Sequence, residues 1–327
     1  MQTRPLGRTG ERVSALGFGC MGLVGWYGER DDDEARATVL AALDSGCTHL
    51  DTASSYQLGE NEKFVGATIK GRRDEVFLAT KYGIVWKEGG VLTIDNSPAG
   101  IVSTVEASLK RLQTDRIDLF YLHRIDRNTP VEESIGALAK LVQTGKIRYI
   151  GLSECSPQTL RRAHAVHPIA ALQCEYSVWS REPEETVLPV CRELGVGFVP
   201  YSPLGRGFLA GNFRTLQDLP QNDARRNMPR FHDANVQHNL RIADAVREVA
   251  TRKGVSPAQI ALAWVLAQGD DILPIPGTKR RTRLAENVGA VNVRLTNDEL
   301  AALNSTVAEI SVHGERYAPA MMKVLNG

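Results

Sequence analysis

The chain has 327 residues, enough for two average domains or one large α/β barrel. Its 39 basic and 38 acidic side chains nearly cancel, which excludes the global basic field of a nucleic-acid or polyanion binder. Five scattered cysteines without a Cys-x-x-Cys pair, no apolar signal core after Met1 and no span-length apolar run point to a cytoplasmic protein. The expectation is therefore no disulfide framework, no metal and no nucleic-acid or membrane partner, in a monomer or weak homo-oligomer.

Residues 4–13, with Gly7 and Gly10 in the middle, predict a small hairpin. Residues 14–18 are strand-like. A helix is expected over 32–45, with acidic residues in its first turn and Gly46 beyond its end. A strand ending at Asp51 and a helix over 60–69 follow. The strand ending at Lys81 leads to a helix over 99–112, started by Ser97-Pro98, whose Ile101, Val105, Leu109 and Leu112 recur at helical spacing. The next strand ends at His123, with a helix over 131–143.

A strand over 147–152 and a helix from Ser156-Pro157 come next. Further strands are expected over 170–173 and 197–201, with a helix over 184–194 between them. Helices over 236–252 and 257–268, a short strand at 272–274 and helices over 281–288 and 296–307 complete the chain. Eight strand–helix units without a linker predict one α/β domain over 1–327. The expected architecture is a (β/α)8 TIM barrel with an N-terminal β-hairpin and extra C-terminal helices. A doubly wound open sheet is the alternative, because local patterning does not say whether the sheet closes. Residues 205–238 form the one long irregular stretch, and such loops are often lids or binding loops.

Gly17-Phe18-Gly19-Cys20-Met21-Gly22 matches the dinucleotide fingerprint G-x-G-x-x-G. That motif needs a helix to start there, and the following Leu23-Val24-Gly25-Trp26-Tyr27-Gly28 reads as a loop. The glycines are read instead as permitting close backbone approach at a barrel mouth.

Four chemical groups fall at or just beyond the ends of three successive expected strands: Asp51, Tyr56, Lys81 and His123. In a parallel barrel those ends share one mouth. Reduction of a carbonyl leaves charge on oxygen, which needs a proton donor and stabilising donors. Tyr56 is the acid; Lys81, held by Asp51, should lower its pKa; His123 can orient the carbonyl. Singly, each has an ordinary structural explanation; together they are harder to dismiss. A second cluster runs from Ile275 through Pro276-Gly277-Thr278-Lys279 to Arg283, Glu286 and Asn287. There a turn enters a helix whose N-terminus and basic residues suit an anion. Trp26, Tyr27 and Trp86, on expected mouth loops, are candidate walls of a substrate pocket, and the C-terminal segment 309–327 is a candidate cover over it.

With these motifs in register, the chain resembles the aldo-keto reductase superfamily, in its microbial and plant branches. The matching segments include Leu50-Asp51-Thr52-Ala53, Ala79-Thr80-Lys81, Asp118 to His123, Gly151-Leu152-Ser153 and Tyr201-Ser202-Pro203-Leu204-Gly205. The resemblance implies a (β/α)8 barrel, NADP(H) bound in extended form, and Asp51, Tyr56, Lys81 and His123 as a catalytic tetrad. It implies that Ser153 and Gln173 hold the nicotinamide carboxamide, with Tyr201 on the ring. Ser202, Leu204 and Gly205 would lie near the pyrophosphate. Thr278, Lys279 and Arg283 would face the 2′-phosphate, and Glu286 and Asn287 the adenosine. Gly19, Cys20, Met21, Pro203, Gly207, Ile275 and Gly277 complete the implied cofactor set. Many relatives carry Ser-Asn where this chain has Ser153-Glu154, so Glu154 could only accept from the carboxamide. The implied activity is reversible NADPH-dependent reduction of an aldehyde or ketone, with a small carbonyl or alcohol as partner. A regulatory subunit with little turnover and a Schiff-base aldolase using Lys81 are the alternatives.

Overall fold

The computed structural model describes residues 1–325 and residue 327. The chain opens with an antiparallel hairpin, β1 (Thr3–Pro5) and β2 (Arg12–Ser14). Seven parallel strands follow among the described residues, each hydrogen-bonded to the next in chain order. They are β3 (Phe18–Gly19), β4 (His49–Asp51), β5 (Phe77–Tyr82), β8 (Ile117–Leu122), β9 (Ile147–Ser153), β10 (Ile169–Glu175) and β11 (Gly197–Tyr201). Residues of β5, β8 and β10 are buried throughout, as expected of parallel strands covered on both faces.

The sheet closes through residues 272–276. Leu273 N–H donates to Phe198 O at 2.8 Å and Ile275 N–H to Pro200 O at 3.0 Å. On the other side Gly17 N–H donates to Pro274 O at 2.9 Å and Gly19 N–H to Pro276 O at 3.1 Å. Pro274 and Pro276 have no N–H to return, so the eighth position carries half a ladder and no regular strand forms. The strand expected over 14–18 is likewise displaced: Ser14 belongs to the hairpin and β3 starts at Phe18. The glycine motif serves this closure. A Cβ on Gly19 would lie 2.7 Å from Ile275 O, and one on Gly277 2.6 Å from Gly19 O.

The helices are α1 (Asp32–Asp44), α2 (Glu60–Thr68), α3 (Pro98–Leu112), α4 (Val131–Gln143), α5 (Pro157–Val166) and α6 (Val187–Leu194), then α7 (Asp233–Lys253), α8 (Pro257–Leu266), α9 (Arg281–Gly289), α10 (Asn297–Ile310) and the short α11 (Pro319–Met322). Their starts follow local chemistry. Ser97 and Ser156 cap α3 and α5 ahead of a proline, and Ser256–Gln259 and Thr296–Glu299 form capping boxes on α8 and α10. One apolar layer lies between helices and sheet; a second, smaller one fills the barrel with Phe77, Leu119, Tyr121, Val199 and Leu273, plugged below by Leu6 and Val13 of the hairpin. No described helix is long and apolar enough to cross a membrane. The five cysteines are buried and free.

Between β5 and α3 the chain adds an antiparallel hairpin, β6 (Ile84–Lys87) and β7 (Val91–Ile94), turned by Gly89 and Gly90 at positive φ. The sequence reading left it unassigned. Residues 205–232 contain four short 3-10 turns and no longer element.

Candidate active site

The ends of β4, β5 and β8 bring Asp51, Lys81 and His123 together. Lys81 is fully buried; its ammonium contacts Asp51 Oδ1 and donates to Thr52 O at 2.8 Å. Gln173 at the end of β10 donates to Asp51 Oδ2 at 2.9 Å. The carboxylate is thus held from two strands.

Tyr56 lies on the loop after β4. Ser54 ties that loop to β5 through its N–H and Oγ, both donating to Lys81 O. Beyond Tyr56, Gln57 and Leu58 both adopt positive φ, although neither is glycine. Such residues cost on the order of 1–2 kcal/mol each. Trp26, Glu154, Ser202 and Arg206, all close to the site, share this conformation. The Tyr56 ring meets His123 edge-on at 5.8 Å between centroids, and Lys81 Nζ lies 5.2 Å from its centroid.

The expected lowering of the Tyr56 pKa is not what the geometry gives. Burial raises the phenol well above its ordinary value, Asp51 adds to the rise, and Arg124 opposes it. Lys81 is engaged by Asp51 and Thr52 O, and of the pair it is Asp51 that acts on the phenol. Burial also lowers Lys81, with Asp51 opposing. It lowers His123 well below the ordinary imidazole value, helped by Arg124 and Lys81, so His123 is neutral near pH 7. Its Nδ1 lies 3.4 Å from Ser55 Oγ.

These groups open onto one cavity of about 820 Å³. Asp51, Tyr56, His123, Ser153, Gln173 and Tyr201 line its inner end. Ser202, Pro203, Leu204 and Gly207 follow β11 along it, and Gly19, Met21, Ile275 and Gly277 line it at the barrel seam. Thr278, Lys279, Arg283, Glu286 and Asn287 line the far end, beside the start of α9. Arg280 caps α9 without a side-chain bond to its first turn; Glu34 Oε1 accepts from Arg281 N–H at 2.9 Å, and the N–H groups of Thr282 and Arg283 keep no partner among the described residues. Trp26, Tyr27 and Trp86 also line the cavity, Trp86 from β6 rather than from a loop.

Three residues expected in the site do not line the cavity. Lys81 sits beneath it. Cys20 is fully buried, its backbone occupied by Asp51 O and Asn61 Nδ2. Gly205 packs its backbone on the Trp179 ring, where a Cβ would come within 2.9 Å. Glu154 is also turned away. It accepts from Tyr201 OH at 2.8 Å, from Glu175 N–H at 2.9 Å and from both terminal nitrogens of Arg316. Its acceptors are spent on fixing the C-terminal segment, which explains how a glutamate is tolerated there.

Arg124, Tyr317 and Met321 line the cavity too; sequence reasoning assigned no role to Arg124, whereas Tyr317 and Met321 fall in the segment 309–327 expected to cover the substrate. Arg124 was adjacent to His123 and could have been found by asking what a strand-end arginine pairs with. The sequence points to segment 309–327 as a whole and not to Tyr317 and Met321, because their place depends on the path of the chain after α10. Arg225, in the irregular stretch, lines the cavity, whereas Arg226 is spent on Leu216 O and Leu219 O.

A parallel barrel that gathers a phenol, a neutral imidazole and a buried carboxylate–ammonium pair at its strand ends defines a class of barrel protein equipped for proton transfer. The family model described as Aldo/keto reductase family matches residues 15–308. The aldo-keto reductase yakc of Schizosaccharomyces pombe, whose name specifies NADP(+), is 46% identical over 323 residues, covering 97% of this chain and 94% of its own. Probable aldo-keto reductase 1 of Glycine max is 44% identical over 319 residues, covering 97% and 92%. The solved glycerol dehydrogenase AKR11B4 of Gluconobacter oxydans superposes with a TM-score of 0.86 at 31% identity, covering 94% of this chain and 95% of its own. The chain belongs to the aldo/keto reductase family.

Proposed function

We propose that this protein, as a single domain over 1–327, reduces aldehydes or ketones with NADPH, reversibly, at the cavity described above. The observation that carries the reading is the convergence of Tyr56, His123 and the Asp51–Lys81 pair at the inner end of a groove whose far end is basic.

The groove's own chemistry fits NADP(H). Lys279 and Arg283, with the first-turn N–H groups of Thr282 and Arg283 in α9, suit a phosphate. Ser153, Gln173 and Tyr201 line the cavity together and offer polar groups and a ring to the nicotinamide carboxamide and its ring. When bound, the dinucleotide supplies or accepts the hydride. Tyr56 is stored protonated, because burial and Asp51 both disfavour its phenolate. It gives that proton to the carbonyl oxygen, and Arg124 stabilises the phenolate left behind. Neutral His123 holds an N–H toward the same oxygen. Asp51, fixed by Gln173, keeps Lys81 in place. The aldolase alternative is disfavoured: Lys81 is capped by Asp51 and Thr52 O and does not reach the cavity.

The test is a panel of aldehydes and ketones offered with NADPH and NADH, following loss of nicotinamide absorbance. NADPH-preferring turnover of several members is expected. Tight NADPH binding with no turnover across the panel would contradict the reading and favour a regulatory cofactor-binding subunit.

A further inference from the structure

Arg124 is 3% exposed, at the end of β8 directly after His123. Its Nη1 donates to His123 O at 2.6 Å and to Ser153 Oγ at 3.2 Å. Its Nε–H is buried without a partner. Nη2 makes no hydrogen bond, and no carboxylate lies within ion-pair distance, among the described residues. The neighbouring buried cations differ. Arg206 and Arg230 pair with Glu175 at 2.8 and 3.2 Å, Arg316 pairs with Glu154 at 3.0 Å, and Lys81 is held by Asp51.

A buried guanidinium with unmet donors is costly unless something satisfies it. Arg124 lines the cavity, so its partner can come from a ligand there. Lys81 is paired with Asp51 and His123 is neutral, leaving Arg124 as the cation at the inner end without a direct carboxylate partner, with Glu154 acting on it only from a distance. Nη1 is engaged and Nε is wholly buried, so it is the Nη2 amino group, with two N–H bonds, that can meet oxygens from the cavity. Beside His123, one of those oxygens is the reacting carbonyl's neighbour.

We propose that Arg124 reads a second oxygen on the carbon next to the reacting carbonyl, so that 2-oxo esters and 2-oxo acids are preferred over plain aldehydes. This rests on the carbonyl-reductase reading and names its substrate class. The reaction is otherwise unchanged. Hydride passes from NADPH to the carbonyl carbon and the Tyr56 proton to its oxygen, giving a 2-hydroxy ester or acid and NADP⁺. Arg124 is recruited without bond changes of its own.

The experiment compares kcat/KM for methyl benzoylformate, benzoylformate and benzaldehyde with NADPH, in wild type, Arg124→Met and Arg124→Lys. The ratio of either 2-oxo substrate to benzaldehyde should fall roughly 10- to 100-fold in Arg124→Met, mainly through KM, as loss of a charge-assisted contact implies. Arg124→Lys should recover part of it. Losses that act through Tyr56 are common to all three substrates and cancel in the ratio. A fall for benzoylformate alone would assign the contact to a carboxylate; a fall for both would assign it to any vicinal oxygen. An unchanged ratio would overturn the proposal, as would a loss explained by weakened NADPH binding, which would put Arg124 on the carboxamide. Should Arg124→Met not fold, wild type still decides. Oxamate should compete with benzaldehyde where acetamide does not, and equal inhibition would overturn the proposal. No turnover of any of the three by NADPH-bound wild type would defeat the reductase reading and this inference with it. Turnover of benzaldehyde with an unchanged ratio would defeat this inference alone.

Discussion

At the scale of single residues, the buried Asp51–Lys81 pair sets the sharpest expectation. Lys81→Met leaves Asp51 as an uncompensated charge near Tyr56, which already titrates high. The phenol should rise further, so alcohol oxidation, which needs the phenolate, should move to higher pH than in wild type. Breaking the pair should also cost about 3–5 kcal/mol of stability. The pH profile of kcat in the oxidative direction, on protein shown to bind NADPH, checks this; an oxidative limb left in place would mean Lys81 does not act on Tyr56. At the far end, Arg283 lines the cavity in the first turn of α9. Arg283→Ala should weaken NADPH by about tenfold or more and NADH much less, because a charge-assisted contact is worth about 1.5–3 kcal/mol. Titration of both cofactors checks it, and equal loss for both would remove Arg283 from the 2′-phosphate. Asp51, Lys81 and His123 were legible because each ends an apolar run that could only be a strand. The direction of the Tyr56 shift was not, because it depends on the burial of the phenol and on which member of the Asp51–Lys81 pair acts on it.

At the scale of elements, β4 carries a second buried titratable group. His49 is fully buried, packs edge-on against Phe77 at 5.4 Å, and has no partner for either ring nitrogen. Burial pushes its pKa down to about 4. The unfolded chain titrates near the ordinary value of about 6.5, so between those values the unfolded state binds the extra proton. Stability should therefore be full above about pH 6.5 and fall as pH drops toward about 4, by about 3 kcal/mol from this residue. His123 acts in the same direction. Urea unfolding across that range should show a shallower pH slope in His49→Leu than in wild type, and equal slopes would contradict the account. Most elements were legible, since their caps and apolar spacing are local. The eighth strand position was misjudged as a regular strand because its pairing depends on which N–H groups Pro274 and Pro276 lack. The hairpin of β6 and β7 was missed although Gly89-Gly90 between two β-branched runs is a turn signal.

At the scale of the whole molecule, three distant segments meet along the cavity wall. Lys279 Nζ donates to Tyr27 O at 2.7 Å and also contacts Glu29 O. Ala224 N–H donates to Trp26 O at 3.3 Å, and Arg225 lies over the Tyr27 ring at 5.0 Å. Residues 26–29, residues 223–225 and Lys279 thus form a strap joined by long-range contacts along the cavity wall, and a loop of this kind can fold over a bound ligand. With NADPH bound beneath it, hydrogen exchange of residues 205–231 should slow; unchanged exchange at saturating NADPH would make this stretch a passive insertion. The closure of the barrel and the meeting of these segments are long-range facts, and local patterning could only leave the closed and open sheets as alternatives. The central claim is that Tyr56 delivers the proton for hydride transfer in this cavity. Its most direct test is single-turnover reduction of an aldehyde by NADPH in wild type and Tyr56→Phe, with NADPH affinity measured on both. The account predicts a loss of about 10²- to 10⁴-fold in the rate of NADPH oxidation with affinity nearly unchanged. Substantial retained turnover in folded, NADPH-bound Tyr56→Phe would contradict it.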